Sequence, residues 1–400
     1  MEKVNANEIN HADLIVGIPS YNEADNISFV VQQCDQGLQK YFSDLKSLII
    51  NVDNNSIDDT RGAFLNTSTT NPKIYISTPP GVKGKGNNFY NLFSKVKRLN
   101  AKVVVVVDAD VTSITPEWIR DLAIPIINKK VDFVTPIYSR NEYDGTITNN
   151  ICYPLIYGLL GKNIRQPIGG DFAFSGNLSS YYLSQVWHKT TRQYGIDIFM
   201  TLHAITGSFK VGQVELGAKI HKPSAPKLGP MFTQVVSTLF KILLDNKSNW
   251  IYNNKIERIP LFGNPSQKTP QNLSIDYKSM KATTIYEFKI YKSILERCLS
   301  PEIFFRINNM YEKRKINIGV DLWTKIVYDL LYAYDTTDAN SDLIEGMKSL
   351  YFGRVISFIK QTLDMDHVSC EKQIQRQAQH FHRIRNYLIK KYQRQQLAVA

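Results

Sequence analysis

The sequence predicts an α/β protein: a parallel sheet covered by helices, followed by a mainly helical C-terminal region. Three observations point there. From residue 13 to about 135, short apolar runs alternate with amphipathic stretches, and strands that alternate with helices build parallel sheets. The run "VVVVV" at 103–107 lacks the polar alternation of a half-exposed strand and suits a central strand covered on both faces. From about residue 280 only helical apolar spacing recurs, in "LWTKIVYDLLYAY" and "SLYFGRVISFIKQTL".

The elements follow in order. "LIVGIP" (14–19) is the first strand, and Ile27, Val30, Val31, Cys34, Leu38 and Phe42 recur after it at helical spacing. "SLIINV" (47–52) is the second strand, with Ser56 placed to cap a helix whose first turn is acidic. "KIYIS" (73–77) is the third strand and "NNFYNLFSKVKRL" (87–99) a helix. The valine run is the fourth strand. Thr115 and Pro116 then open a helix as cap and first residue, and "VDFVTP" (131–136) is the fifth strand. Beyond 136 the alternation loosens. Helices are expected at 146–163, 195–207 and 230–244, a Gly-rich turn with a short strand at 167–176, and a strand at 209–219. Residues 263–275, rich in Pro, Asn, Gln and Ser, read as a linker. The expected division is an α/β domain over 1–260 and a helical domain over 261–400.

Composition narrows the function classes. Four hundred residues of ordinary apolar content suit two domains. No apolar run is long enough to span a bilayer, and the polar N-terminus lacks a secretory stretch, so a cytoplasmic location is expected. The four cysteines are scattered without metal-type pairing and read as reduced thiols. The net charge is +12, and residues 371–400 hold seven Lys/Arg against one Glu. A basic balance suits anionic small ligands. No nucleic-acid-binding module is evident, and homo-oligomers are compatible with everything above.

Polar clusters fall at the predicted carboxyl ends of four strands: "PSYNE" (19–23), "DNNSIDDT" (53–60), "GVKGKGN" (81–87) and "DAD" (108–110). In an open parallel sheet that edge is where ligands bind. Each cluster alone has a plainer reading, since Asp is common in turns and helix caps and "GKG" in loops. Four together on one edge suit a nucleotide pocket.

These motifs resemble the family-two-type glycosyltransferases of the GT-A fold, a Rossmann-like nucleotide-diphospho-sugar transferase fold. Downstream, "DADVTSITPEWI", "QPIGGDFAFSG", "YGIDIFMTLHAI" and "ELGAKIHK" are similar to the mannosylglycerate synthases and glucosyl-3-phosphoglycerate synthases. The likeness covers most of the chain and thins after residue 250. It implies a donor site formed by Pro19, Tyr21, Glu23, Asp53, Gly84, Lys85, Asp108 and Ala109, with Asp53 accepting hydrogen bonds from the base or ribose. It implies Asp110 and His221 as ligands of Mg²⁺ or Mn²⁺, which would neutralise charge on a departing diphosphate. It places Arg140, Thr148, Gly169, Gly170, Asp171 and Tyr194 about the sugar and acceptor, and Asp197 where a carboxylate orients or deprotonates a hydroxyl.

The turn "GTIT" (145–148) departs from the phosphoglycerate-using relatives, with Thr146 where they carry an arginine. An arginine pairs with phosphate through two charge-assisted bonds, and threonine cannot. The expected reaction is therefore metal-dependent, retaining transfer of a hexose from a UDP- or GDP-sugar to glycerate or a similar small hydroxy acid. Two rivals stand beside it: a GT-A enzyme with a glycan, lipid-linked or protein acceptor, and a non-catalytic sugar-nucleotide-binding protein. The intact "DAD" with His221 speaks against the second.

Overall fold

A computed structural model describes residues 3–4, 9–222, 228–252, 254–263, 270, 277–338 and 340–399. Among these, nine strands form one sheet: β1 (Lys3–Val4), β2 (Leu14–Ser20), β3 (Ser47–Asp53), β4 (Lys73–Ser77), β5 (Val103–Val106), β6 (Phe133–Ser139), β7 (Phe172–Ser175), β8 (Val211–Ala218) and β9 (Leu261–Phe262). Their order is β1-β4-β3-β2-β5-β7-β6-β8-β9. The valine run lies inside it, with all four β5 residues buried, as uninterrupted β-branched sequence demands.

The sheet is mixed, where the sequence predicted a parallel one. β2 pairs in parallel with β3 and β5, and β3 with β4, but β7 runs antiparallel to both β5 and β6. After β6 the chain passes through the helical segments of 148–160 and re-enters the sheet at its carboxyl edge, where Phe172 lies opposite Val106 and Ser175 opposite Val103, so β7 runs back along β5 in the reverse direction. Register lines up the functional edge: Ser20 sits opposite Asp53, and Asp53 opposite Ser77. Val30, Val31, Cys34 and Leu38 of helix Ile27–Tyr41 join Trp118, Ile119 and Leu122 of helix Pro116–Ile127 in the core against Leu14, Val16 and Val105.

Local capping differs from expectation at one point. Thr115 and Pro116 open their helix as predicted. Helix Thr60–Asn66, however, is capped by Asp59, whose side chain accepts from the Gly62 N–H. Ser56 instead donates its hydroxyl to Asp53 Oδ1 at 2.7 Å, because the preceding turn folds back on the end of β3.

The chain divides into two compact units: Met1–Arg140 with Arg165–Thr238 and Ile259–Gln271, and Asn141–Ile164 with Leu239–Arg258 and Asn272–Ala400. This division is discontinuous, where the sequence suggested a single cut after residue 260. The second unit is helical, and Tyr153 packs there with Phe358, Ile374 and Ala378. The helix expected at 146–163 opens with a π-helical turn, Thr148–Cys152, continues as Tyr153–Leu160 and stops at Gly161, whose φ is 66°. Apart from Gly263 and Pro270, the expected linker 263–275 lies outside the described residues.

Candidate active site

The sheet's carboxyl edge carries a network of buried charges. Lys85 opens helix Lys85–Arg98, and its Nζ lies 2.9 Å from Asp108 Oδ1 and 3.3 Å from Asp197 Oδ1. Lys219 follows β8. Its ammonium has three protons and meets three acceptors: Asp108 Oδ2 at 2.9 Å, Asp171 Oδ2 at 2.7 Å and the Gly169 carbonyl at 3.0 Å. Asp171, fully buried, also accepts from the Asp108 N–H at 2.8 Å and from the Tyr138 hydroxyl. Gly170 makes this convergence sterically feasible. Its φ is +89°, and a Cβ there would stand 2.1 Å from Asp108 Oδ2.

Electrostatics separates the two aspartates of "DAD". Burial alone would raise the Asp108 carboxyl, but Lys219 and Lys85 outweigh it and hold the group well below the usual carboxylate range. Asp110 moves the other way, raised by burial and by the negative charge of Asp108. Among the described residues Asp110 makes no hydrogen bond or ion pair. Asp197, in the first turn of helix Ile196–Thr206, is likewise raised by burial, with Lys85 opposing. Its Oδ1 is buried and meets the Lys85 ammonium at 3.3 Å as an ion pair.

His221 comes near Asp110 because its segment is pinned. The Thr112 N–H donates to the Ile220 carbonyl at 2.9 Å, and the Ile220 N–H to Ser113 Oγ at 2.9 Å. The imidazole is close enough to Asp110 to act on its charge. His221 Nδ1 lies 2.7 Å from the Lys222 carbonyl, which only accepts, so Nδ1 donates there and Nε2 is the ring nitrogen that could present a lone pair to a cation.

No three His, Cys, Asp or Glu among the described residues gather into a closed metal cage. Hard divalent cations are often held by one or two carboxylates with substrate phosphates completing the shell. A carboxylate of raised affinity for positive charge beside an imidazole fits such an open site, and Asp108, engaged by two lysines, does not add to it.

The remaining predicted residues divide into those at the network and those elsewhere. Glu23, nearly buried and raised by burial, pairs with Lys222 at 2.8 Å. Tyr21 accepts from Lys83 at 3.1 Å. Pro19 lies in β2 opposite Val52, and Ala109 is buried between the two aspartates. Asp53 was expected to receive hydrogen bonds from a nucleotide. Its oxygens already accept from the Ser20 hydroxyl, the Ser56 N–H and hydroxyl, and the Tyr75 hydroxyl. Gly84, at φ +129°, lets the "GKG" turn dock on residues 191–193, since a Cβ would stand 2.3 Å from the Arg192 carbonyl.

Arg140 donates to the Gly169 carbonyl at 3.3 Å and lies over the Tyr138 ring. The Tyr194 N–H donates to Gln234 Oε1 at 3.0 Å. Thr148 belongs to the helical unit, where it is buried at the start of the π-helical turn. Sequence reasoning missed Lys219 and Tyr138. Lys219 stands two residues before His221 in "AKIHK", and its position just past a strand buried at all but Glu215 was the available signal.

Residues 15–184 match the family model described as Glycosyl transferase family 2. No curated protein matches the chain. Among solved structures, glucosyl-3-phosphoglycerate synthase from Mycobacterium tuberculosis, in complex with Mn²⁺, uridine diphosphate and phosphoglyceric acid, is similar at 24% identity. That match covers 58% of this chain and 78% of that one, with a TM-score of 0.46. Mannosyl-3-phosphoglycerate synthase from Rubrobacter xylanophilus is similar at 19% identity over 59% and 75% of the two chains, TM-score 0.48. A mannosyltransferase from Pyrobaculum calidifontis, in complex with GDP-Man and Mn²⁺, is similar at 12% identity over 89% and 88%, TM-score 0.38. Among the described residues no helix is long and apolar enough to cross a membrane. With this sheet and its helices, the match over 15–184 identifies a glycosyl transferase family 2 domain of the GT-A type, and the chain is a glycosyltransferase.

Proposed function

We propose that this glycosyltransferase moves a hexose, with retention of configuration, from a UDP- or GDP-sugar to glycerate or a similar small hydroxy acid. The observation that carries the reading is the buried cluster of Lys85, Asp108 and Asp197 at the edge where four motifs converge, in which the ammonium of Lys85 stands 3.3 Å from Asp197 Oδ1. One ammonium contact leaves a carboxylate with further acceptor capacity, which a sugar or acceptor hydroxyl would use.

The chain's own groups divide the work. Lys85, whose charge Asp108 and Asp197 secure against the opposing effect of burial, presents a fixed ammonium for a donor phosphate. Asp197, with its affinity for a proton increased by burial, orients the attacking hydroxyl and accepts its hydrogen bond. Asp110 and His221 would hold a divalent cation, Mg²⁺ or Mn²⁺. A cation there supplies Lewis-acid stabilisation of the diphosphate oxygens. Asp53 acts one step back, fixing the turn between β3 and the following helix through its four hydrogen bonds. Arg140, beside the Gly169–Gly170 turn, is the group we assign to the acceptor carboxylate.

Transfer is tested by incubating UDP- and GDP-hexoses with glycerate or 3-phosphoglycerate, with divalent metal supplied or chelated. Metal-dependent transfer to one of these acids is expected. Full activity in excess chelator would refute the cation site. Donor hydrolysis without transfer to either acid would favour a glycan or lipid-linked acceptor.

A further inference from the structure

The helical unit holds a second concentration of charge, unrelated to the sheet edge. A cavity of about 460 Å³ is lined by Lys281, Arg314, Lys315 and Lys360, with Ser357 and Asn317 among the polar groups beside them. No carboxylate among the described residues lines it. The cations come from three places in the chain: helix Tyr277–Cys298, the loop after helix Pro301–Glu312, and the last turn of helix Asn340–Thr362.

Nearby lysines on the same helices behave differently. Lys292 pairs with Glu312 at 3.2 Å, and Lys348 with Glu345 at 2.6 Å and Glu287 at 3.5 Å. The four pocket cations have no ion pair among the described residues. Four like charges around one cavity repel one another, and an anion removes that repulsion. Helix dipoles favour Arg314, Lys315 and Lys360, which stand at C-terminal ends, but give nothing to Lys281 in the second turn of its helix.

The loop is also held in place. Arg314 takes the left-handed conformation, φ 52°, at a helix end where Gly or Asn is usual. The Lys315 N–H donates to the Met310 carbonyl at 2.8 Å, the Ile318 N–H to Ser357 Oγ at 2.8 Å, and buried Arg354 to the Ile318 carbonyl at 3.2 Å. A site whose backbone is already fixed loses little order on binding.

We infer that this pocket binds a multiply charged phosphoryl anion, free or carried on a lipid headgroup. The probe is inorganic pyrophosphate, titrated calorimetrically into the full chain at constant ionic strength. Wild type is compared with an Arg314→Gln/Lys360→Gln variant and with Lys281→Gln. These side chains reach solvent, so the variants are expected to fold, and thermal unfolding checks this. The double variant should lose one binding event by roughly tenfold or more, each lost cation removing a charge-assisted contact. Any event at the diphosphate-type site of the sheet unit should persist, and Lys281→Gln should show a smaller loss.

A parallel arm measures co-sedimentation with phosphatidylglycerol and phosphatidylcholine vesicles. Retention on phosphatidylglycerol alone that the double variant loses would support the same site and assign the phosphoryl group to a headgroup. Superimposable isotherms together with equal sedimentation of wild type and variant would overturn the inference. Pyrophosphate binding abolished by chloride of equal ionic strength would overturn it too, as mere screening.

Discussion

Replacing Lys219 with methionine isolates the electrostatics of the site from its packing. Methionine keeps the length and apolar contacts of the stem and removes the ammonium. The lysine side chain is 3% exposed and that of Asp171 0%, so their 2.7 Å contact is shielded from water. Removing one partner of a buried pair strands the other, typically at about 3–5 kcal/mol. Tyr138 and the Asp108 N–H still donate to Asp171 and keep the loss from running higher. The pH dependence is specific. In wild type the Asp108 carboxyl lies below its ordinary value of 3.8, despite burial, because of Lys219 and Lys85. A depressed carboxyl contributes stability above the unfolded value and loses it only as pH falls through the folded one. Between pH 7 and 5 that contribution is constant. In the variant Asp108 has lost one of the two cations that hold it down, so its carboxyl rises and protonation relieves the buried charge as pH falls. The stability difference should shrink from pH 7 to pH 5, while contributions common to both proteins cancel. The assay is urea unfolding of both proteins at the two pH values, comparing the transition of the sheet unit, since two compact units need not unfold together. A difference under about 1 kcal/mol at pH 7, or one that does not change with pH, would refute the buried-pair account.

Asp197→Asn should lower kcat by about 10²–10⁴-fold while donor binding stays nearly constant; unchanged kcat in steady-state assays would remove Asp197 from the chemistry. Asp110→Asn should abolish transfer yet raise the Tm of the chelated protein. The folded Asp110 carboxyl is raised by burial and Asp108, so its ionised form weakens the fold as pH rises above the ordinary value; a lower Tm in chelator would contradict this. Gly170→Ala should destabilise by about 1–3 kcal/mol and reduce activity, because the new Cβ meets Asp108 at a φ that side chains rarely adopt. Thr146→Arg should destabilise the helical unit by roughly 3 kcal/mol or more in urea melts, since the threonine is buried and its hydroxyl pairs with that of Tyr351.

The sheet edge was legible because its signals are local. Five valines followed by two aspartates state a strand and its end, and "PSYNE" and "DNNS" do the same one and two strands away. What sequence could not display was pairing across the edge. Lys219 reaches Asp108 over 111 positions and Asp171 over 48, and its place at the end of a strand hints at burial without naming either partner. Asp53 shows the converse. A strand-end aspartate predicts a polar contact correctly, but whether the partner is a ribose or a serine three residues on depends on the turn. The Thr146 case has the same origin. Its spacing in "GTIT" suggested a place in an acceptor turn, while the fold buries it among helices of the other unit.

The two aspartates of "DAD" are separated by one residue and end in opposite electrostatic states. Asp108 faces two ammonium groups and stays ionised over any physiological pH. Asp110, denied those partners and pushed up by its neighbour, is the position whose charge remains to be compensated. Pairs of carboxyls driven apart in this way commonly have separate tasks. On the proposed reading, Asp108 holds Lys85 and Lys219 in place, and Asp110, beside His221, is the carboxylate that takes a cation. A buried strand that ends in two carboxylates therefore does two things at one point: the first organises the protein's own positive charge, and the second is left for charge brought in with the substrate.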